Sequence, residues 1–348
     1  MFAVPRSSSP APSSRATRND VARLAGVSPA VVSYVVNGTK KVGPDTEERV
    51  RAAVAKLGYR PNPSARALRL GSTEMLGMVM PSVINPYFAQ LAHEVELAAS
   101  KRGYTLITAN SDSSIATERT QLEHLAARLV DGIFLCSNVF EPDLRDLELA
   151  SIPVVLLNHS AETPARDSVG VDLLHGADLA VEHLASHGYD EVGIVIGRTS
   201  GDEEDGREIG WRESVDRLGL TPGPVARGPF SPDGGYDAMR RLLRAGTVPR
   251  ALFVSSDQMG RGVLKAAHEA GLRVPEDLAI VSFDGSVDAA YSWPTLTSVA
   301  QPLSEMAEAA VEALLGPPHE PRHLVMDTRL VIGASCGCGT LTGHSANR

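Results

Sequence analysis

The chain has 348 residues, 33 Lys and Arg against 42 Asp and Glu for a net charge of −9, and a mean hydropathy of −0.06. That length is more than one small core needs, so several domains are expected. No stretch reaches the about 18 uninterrupted apolar residues of a membrane span, and Cys136, Cys336 and Cys338 make an odd set that argues for a reducing cytoplasm over a disulfide framework. Residues 1–16 are Ser, Pro and Ala with two arginines and no apolar run, which predicts a disordered basic arm and no export signal.

The next segment predicts three short helices. Thr17 followed by Asp20 has the form of a capping box, with Val21, Leu24 and Ala25 as an apolar stripe that ends at Gly26. Ser28 and Pro29 then suit the cap and first turn of a second helix, in which Val32, Val35 and Val36 face inward. Pro29, Ala30, Ser33, Tyr34 and Asn37 are left facing outward. Pro44 opens a third helix with Val50, Ala53, Val54 and Leu57 on one face, closed by Gly58. Two helices joined by a tight glycine turn, with a third closing the core, spell a helix-turn-helix head. Charge says what it touches: residues 1–70 hold 12 Lys and Arg against 4 Asp and Glu, net +8, which leaves 21 against 38, net −17, for residues 71–348. A basic head on an acidic body suits one module seated on phosphates.

From about Ser72 short apolar runs alternate with helical periods. Strands are predicted at 75–80, 104–109, 132–136, 153–157, 169–172, 192–197, 251–254 and 278–282, with helices at 86–102, 117–129, 144–149, 174–187, 206–219, 234–245 and 259–270. A further strand follows Leu296, then a helix at 303–315 and strand-like pieces at 322–326 and 329–332. Val, Ile and Leu strands separated by helices predict an α/β body of buried parallel sheets flanked by helices, and two such series predict two lobes.

The runs DVARLAGVS, VVNG and VGPDTEERVRAAVAKLGYRPNPSARAL resemble the DNA-binding domain of the LacI/GalR (lactose-repressor/galactose-repressor) family, and the likeness continues through NPYF at 85–88 to about residue 335. The resemblance implies a dimeric repressor with a type I periplasmic-binding-protein-like body. Its expected divisions are a head at 17–60, a hinge at 61–71, an N-terminal lobe at 72–172 and 303–326, a C-terminal lobe at 173–302 and 327–340, and a disordered tail at 341–348. It also implies that Thr17, Ser28, Pro29, Ala30, Ser33, Tyr34 and Asn37 of the head, and Asn62, Ala65, Arg66 and Leu68 of the hinge, meet operator DNA, with Leu68 wedged into the minor groove. The chain departs from the family where it usually carries a polar pair and an Arg or His: here stand Pro29, Ala30 and Tyr34, and Val31 replaces a frequent Thr. Pro and Ala side chains donate no hydrogen bond to a base edge, so the half-site cannot be copied from a relative.

Ligands of open parallel sheets bind beyond the carboxyl ends of the strands. Those ends offer Asn85, Tyr87 and Phe88, then Asp172, Asp257 and Asp284; the resemblance adds Arg207 as the ligand-gripping arginine and Phe230 as the aromatic over the ligand. Acids, one arginine and aromatic faces suit a sugar or sugar derivative bound between the two lobes, with a purine or another polar metabolite as the alternative that uses the same groups. Asp172 and Asp257 are also placed to cap helices. Ser256 stands where sugar-binding members often have Asn.

Other constellations carry less. His183 and His187 lie four apart on a helix with no third ligand evident, and read as surface histidines. Cys336-Gly337-Cys338 sits near the end of the chain and predicts no redox or metal chemistry, so neither a metal nor a cofactor is expected. The acidic run at 202–205 lacks calcium-loop spacing and reads as an exposed loop. No nucleophile elbow or phosphate loop is present, which argues against a hydrolase, and a transport binding protein would have no use for the basic head. The expected protein is a cytoplasmic, ligand-responsive repressor acting as a homodimer on double-stranded DNA. Inducer and corepressor responses remain equally open.

Overall fold

The computed structural model of the chain describes residues 16–60, 71–137, 152–159, 166–197 and 205–338. They fall into two compact units, 1–73 and 74–348. The first contains α1 (Arg18–Ala25), α2 (Pro29–Asn37) and α3 (Pro44–Leu57). Thr17 and Asp20 form the reciprocal capping box, Ser28 caps α2, and Gly26 takes φ +66 at the turn between them. Val21, Ala22, Ala25, Val32, Val35, Val50 and Ala53 make the core. Leu24 points outward instead, 46% exposed, because Ala22 occupies the inner position that the stripe assigned to it.

The second unit has two six-stranded sheets. The first is built from β1 (Met75–Met80), β2 (Thr105–Asn110), β3 (Gly132–Leu135), β4 (Val154–Leu157), β5 (Ser168–Val171) and β11 (His323–Met326), all parallel, in the order β11-β5-β4-β3-β1-β2. The second holds β6 (Glu191–Gly197), β7 (Thr221–Gly228), β8 (Ala251–Val254), β9 (Ala279–Asp284), β10 (Thr297–Ala300) and β12 (Arg329–Val331), in the order β12-β10-β9-β8-β6-β7, with only β12 antiparallel. Among the described residues the unit's helices are α4 (Pro86–Ser100), α5 (Ile115–Ala127), α6 (Leu173–Ser186), α7 (Gly206–Arg217), α8 (Pro232–Ala245), α9 (Asp257–Glu269), α10 (Val287–Ala290) and α11 (Leu303–Leu315). Helix α11 packs on α4 over the first sheet, and α6 packs on α7 over the second. In each sheet the order of connection reverses beside its first strand, between β1 and β3 and between β6 and β8. Such reversals open a crevice at the carboxyl ends.

Strand β7 was not predicted, because Pro222, Gly223 and Pro224 break the apolar pattern; at the edge of the sheet prolines are tolerated. Helices α5, α8 and α9 each begin two residues before the predicted start, after the capping serines Ser114, Ser231 and Ser256. The predicted helix at 144–149 and hinge positions 61–70, with Asn62, Ala65, Arg66 and Leu68, lie outside the described residues.

Candidate DNA-reading helix and ligand site

Helix α2 presents Pro29, Ala30 and Asn37 exposed, with Ser33 and Tyr34 half-buried. The Asn37 amide nitrogen donates to Ser33 O and Ser33 Oγ, both at 2.9 Å, so its carbonyl oxygen is the part left for an outside donor. Lys40 Nζ lies 5.6 Å from the centre of the Tyr34 ring, which puts a cation beside the outward face. Thr17 and Ser28 are engaged as caps at the starts of α1 and α2, where free backbone N–H groups favour a phosphate.

In the second unit the expected ligand residues separate into two groups. Four serve the local structure. Asn85 caps α4 by accepting from Tyr87 N at 3.1 Å, and Asp172 caps α6 by accepting from His175 N at 2.9 Å. Phe88 is buried in the apolar core, edge-on to Tyr87 with ring centres 5.1 Å apart. Asp257 is fully buried, with Oδ1 accepting from Ser282 Oγ at 2.5 Å and Ser298 Oγ at 2.7 Å, and Oδ2 from Ser286 N at 2.6 Å. Ser256, not Asp257, caps α9. Burial pushes the Asp257 carboxyl up to about 6 despite these donors.

The other four converge. Arg207 sits in the first turn of α7 with its side chain only 12% exposed. Its Nε and Nη2 grip both oxygens of Asp205 at 2.8 and 2.7 Å, and Nη1 donates to Ser255 O at 2.8 Å. Asp205 is therefore a half-buried helix cap and not part of an exposed acidic loop; 202–204 lie outside the described residues. The guanidinium carbon stands 4.9 Å from the Phe230 ring centre and 5.4 Å from that of Phe283. Burial disfavours the Arg207 charge, yet Asp205, Asp284 and Tyr87 more than offset it. At the β6/β8 reversal Gly197 N donates to Ser255 Oγ at 2.8 Å, and any side chain on Gly197 would run into the Phe230 ring.

Asp284 ends β9 with φ +112, a conformation costly for a non-glycine residue and concentrated at functional sites. Gln301 holds it there twice: its backbone N donates to Asp284 O at 3.1 Å and its Nε2 to Asp284 Oδ1 at 3.1 Å. Burial, with Asp257 nearby, holds the Asp284 carboxyl well above the usual carboxylate range against the pull of Arg207. Tyr87 Oη, from the first lobe, is 2.9 Å from Gln301 Oε1 and 2.7 Å from Asn158 Oδ1. Burial likewise raises the Tyr87 phenol, and Asp284 adds to it. A polar chain Asn158, Tyr87, Gln301, Asp284 thus links both sheets at their carboxyl ends, with Arg207 and Phe230 alongside. Asn158, Ser255 and Gln301 were not singled out from the sequence; each directly follows a strand of the pattern, the one signal that could have found them. The arrangement can receive hydroxyls, by Asp284 and Arg207, and an apolar face, by Phe230.

Comparison with known proteins matches a segment in each unit. Residues 17–62 match the model of bacterial regulatory proteins of the lacI family, and 181–336 that of a periplasmic binding protein-like domain. The HTH-type transcriptional repressor PurR of Pasteurella multocida is 34% identical over 86% of this chain and 91% of its own length. The ribose operon repressor of Escherichia coli K12 is 33% identical over 86% and 92%. Among solved structures, the lac repressor dimer bound to operator and the anti-inducer ONPF superposes with a TM-score of 0.82 at 28% identity, covering 92% of this chain and 99% of that one. The complex of the transcriptional regulator CelR with cellobiose gives 0.66 at 32% identity, covering 92% and 100%.

Proposed function

Because the chain belongs to the LacI family of bacterial regulatory proteins, we propose that it is a cytoplasmic repressor whose two heads read a palindromic operator while a sugar or related polyol held at Arg207, Phe230 and Asp284 sets its affinity. It is a DNA-binding transcriptional regulator that answers to a small molecule and acts as a dimer, not an enzyme. The observation that carries the ligand reading is the clamped, buried pair of Arg207 and Asp284 beside an aromatic ring at the carboxyl ends of the second sheet. A dimer requires two half-sites about one helical turn, or a multiple of it, apart. Pro29, Ala30 and Tyr34 on the reading face favour apolar contact with thymine methyls and at most one donated bond from the tyrosine. We assign Asn62, Ala65, Arg66 and Leu68 to the hinge that meets the minor groove between the heads, on sequence alone.

The test is selection of genomic fragments by the purified protein, repeated with candidate sugars and nucleobases. A shared palindrome whose recovery one polyol changes is the expected outcome. Recovery altered by a purine and by no sugar would overturn the ligand class, and no enrichment under any addition would overturn operator recognition.

A further inference from the structure

Two pairs of residues that look unrelated along the chain meet in space. His183 and His187 lie one turn apart at the end of α6, and Cys336 and Cys338 come from the segment after β12; one ligand atom from each of the four falls within 4.8 Å of every other. Cys338 Sγ is 3.3 Å from His187 Nε2 and 3.7 Å from His183 Nε2. A tetrahedral zinc ion with bonds of about 2.3 Å to sulfur and about 2.0–2.1 Å to nitrogen separates its ligands by about 3.3–3.8 Å. The two Cys338 contacts already fall in that range, and pairs out to 4.8 Å would close by about 1 Å around the ion.

We propose that His183, His187, Cys336 and Cys338 form a structural site for one zinc ion, which clamps the segment after β12 onto the end of α6. Two thiolates neutralise the divalent charge and two imidazoles complete a mixed sulfur and nitrogen set, the combination that selects zinc over calcium or magnesium. Backbone hydrogen bonds frame the site. Ser335 N and Ala334 N donate to Thr295 O, Thr297 N donates to Ser335 Oγ, and Ile280 N donates to Ser335 O, which stitches the segment to β9 and β10, and Cys336 is completely buried. Thr297 Oγ1 at 3.0 Å and Cys338 N at 3.5 Å donate to Cys336 Sγ, the outer-shell bonds that orient a thiolate ligand. The Cys-x-Cys spacing is tighter than that of most zinc sites, and Gly337 at φ +97 permits the turn that aims both sulfurs to one side. The site shares no residue with the effector set of Tyr87, Arg207, Phe230 and Asp284, and it lies at the end of α6 opposite the strand-end position Asp172, about 16 Å away along the helix from His183 at about 1.5 Å per residue. Its role is therefore to anchor the chain, not to bind effector.

The test uses the full-length, reduced, chelator-stripped protein titrated with cobalt(II). The expected result is saturation at one cobalt per chain, with the visible bands of tetrahedral cobalt and a near-ultraviolet thiolate charge-transfer band, both abolished by one equivalent of zinc. Cys338→Ser and His187→Gln alter side chains at least partly exposed in the fold, so both variants fold; each weakens cobalt binding at least about 100-fold, the upper range for loss of metal-site contacts. Zinc raises the thermal midpoint of the parent and of neither variant. No cobalt spectrum at stoichiometric metal, or binding unchanged in either variant, overturns the site.

Discussion

Replacing Tyr87 with Phe removes one oxygen and leaves the ring in place against Phe88. The hydroxyl joins Asn158 of the first lobe to Gln301, which leads out of β10 in the second, at 2.7 and 2.9 Å. Without it Gln301, 9% exposed, keeps an unmet polar atom, while half-buried Asn158 can turn to solvent. A buried group left unsatisfied costs about 1–3 kcal/mol, so the loss should be about 2 kcal/mol. For a body of this size each kcal/mol moves the midpoint by about 2–4 °C, which predicts a fall of about 4–8 °C by calorimetry without effector. A double-mutant cycle with Gln301→Ala should give a coupling of about 1 kcal/mol, since the two side chains share the bond. A midpoint within a degree of the parent, or strict additivity in the cycle, would refute the link between lobes.

Asp257→Asn tests the buried carboxyl that rises to about 6. A folded value above the ordinary one, about 3.9, means the native state binds more protons between those limits, so parental stability falls as pH rises from about 4 to about 6, by about 3 kcal/mol from this group. Denaturant titrations should therefore show the parent's advantage over Asp257→Asn shrinking by that amount between pH 4 and pH 7, and parallel profiles would contradict it. Gly197→Ala should push Phe230 off Arg207 and weaken effector binding at least about tenfold while costing about 1–3 kcal/mol of stability, the range for forced repacking; calorimetric titration with the identified effector checks both. Leu68→Ala should lose operator affinity and keep binding to random DNA, measured by anisotropy with the two duplexes; equal retention of both would remove the wedge from the hinge.

The sequence made the head and the alternation of the body legible because both are written in local terms: caps, glycine turns and apolar periods. It misplaced Leu24 because Val21, Leu24 and Ala25 satisfy the helical period as well as Val21, Ala22 and Ala25 do, and only packing against α2 and α3 decides between them. Of the ligand residues, Arg207 and Phe230 were visible through family likeness, and Asp284 through its place at a strand end. Whether an acid at such an end faces a ligand or its own scaffold is not a local property. Asp257 and Asp284 stand alike in the sequence, yet three donors from β9, β10 and the turn after β9 occupy the first. The histidine and cysteine pairs were hidden by more than 140 residues of separation, because ligand spacing rules describe sequence neighbours and this meeting is made by the return of the chain to α6.

Asp284 also sets the direction of the polar chain. The Tyr87 hydroxyl has one proton and faces two amides, so the groups must agree on an order. With Asp284 ionised, Gln301 donates its amide protons to the carboxylate, Tyr87 donates to Gln301 Oε1, and Asn158 must turn its NH2 toward the phenol oxygen. With Asp284 protonated the order reverses: the acid donates to Gln301, Gln301 to Tyr87, and Tyr87 to Asn158. A polyol hydroxyl that donates to Asp284 is held more strongly by the ionised form, since the protonated acid offers it only a neutral carbonyl oxygen. Since burial raises that carboxyl above its usual range, binding below the raised value releases a proton, and affinity falls as the pH drops there, by up to about tenfold per pH unit. Asp284→Asn presents a neutral donor to Gln301 and fixes the reversed order, so it should bind the polyol at least about 100-fold more weakly, as expected when a charged hydrogen bond worth about 1.5–3 kcal/mol is lost along with its pairing, and with no dependence on pH. Calorimetric titrations in two buffers of different ionisation enthalpy measure the proton released by the parent. The same proton count in Asp284→Asn would place the titrating group elsewhere and take Asp284 out of effector recognition.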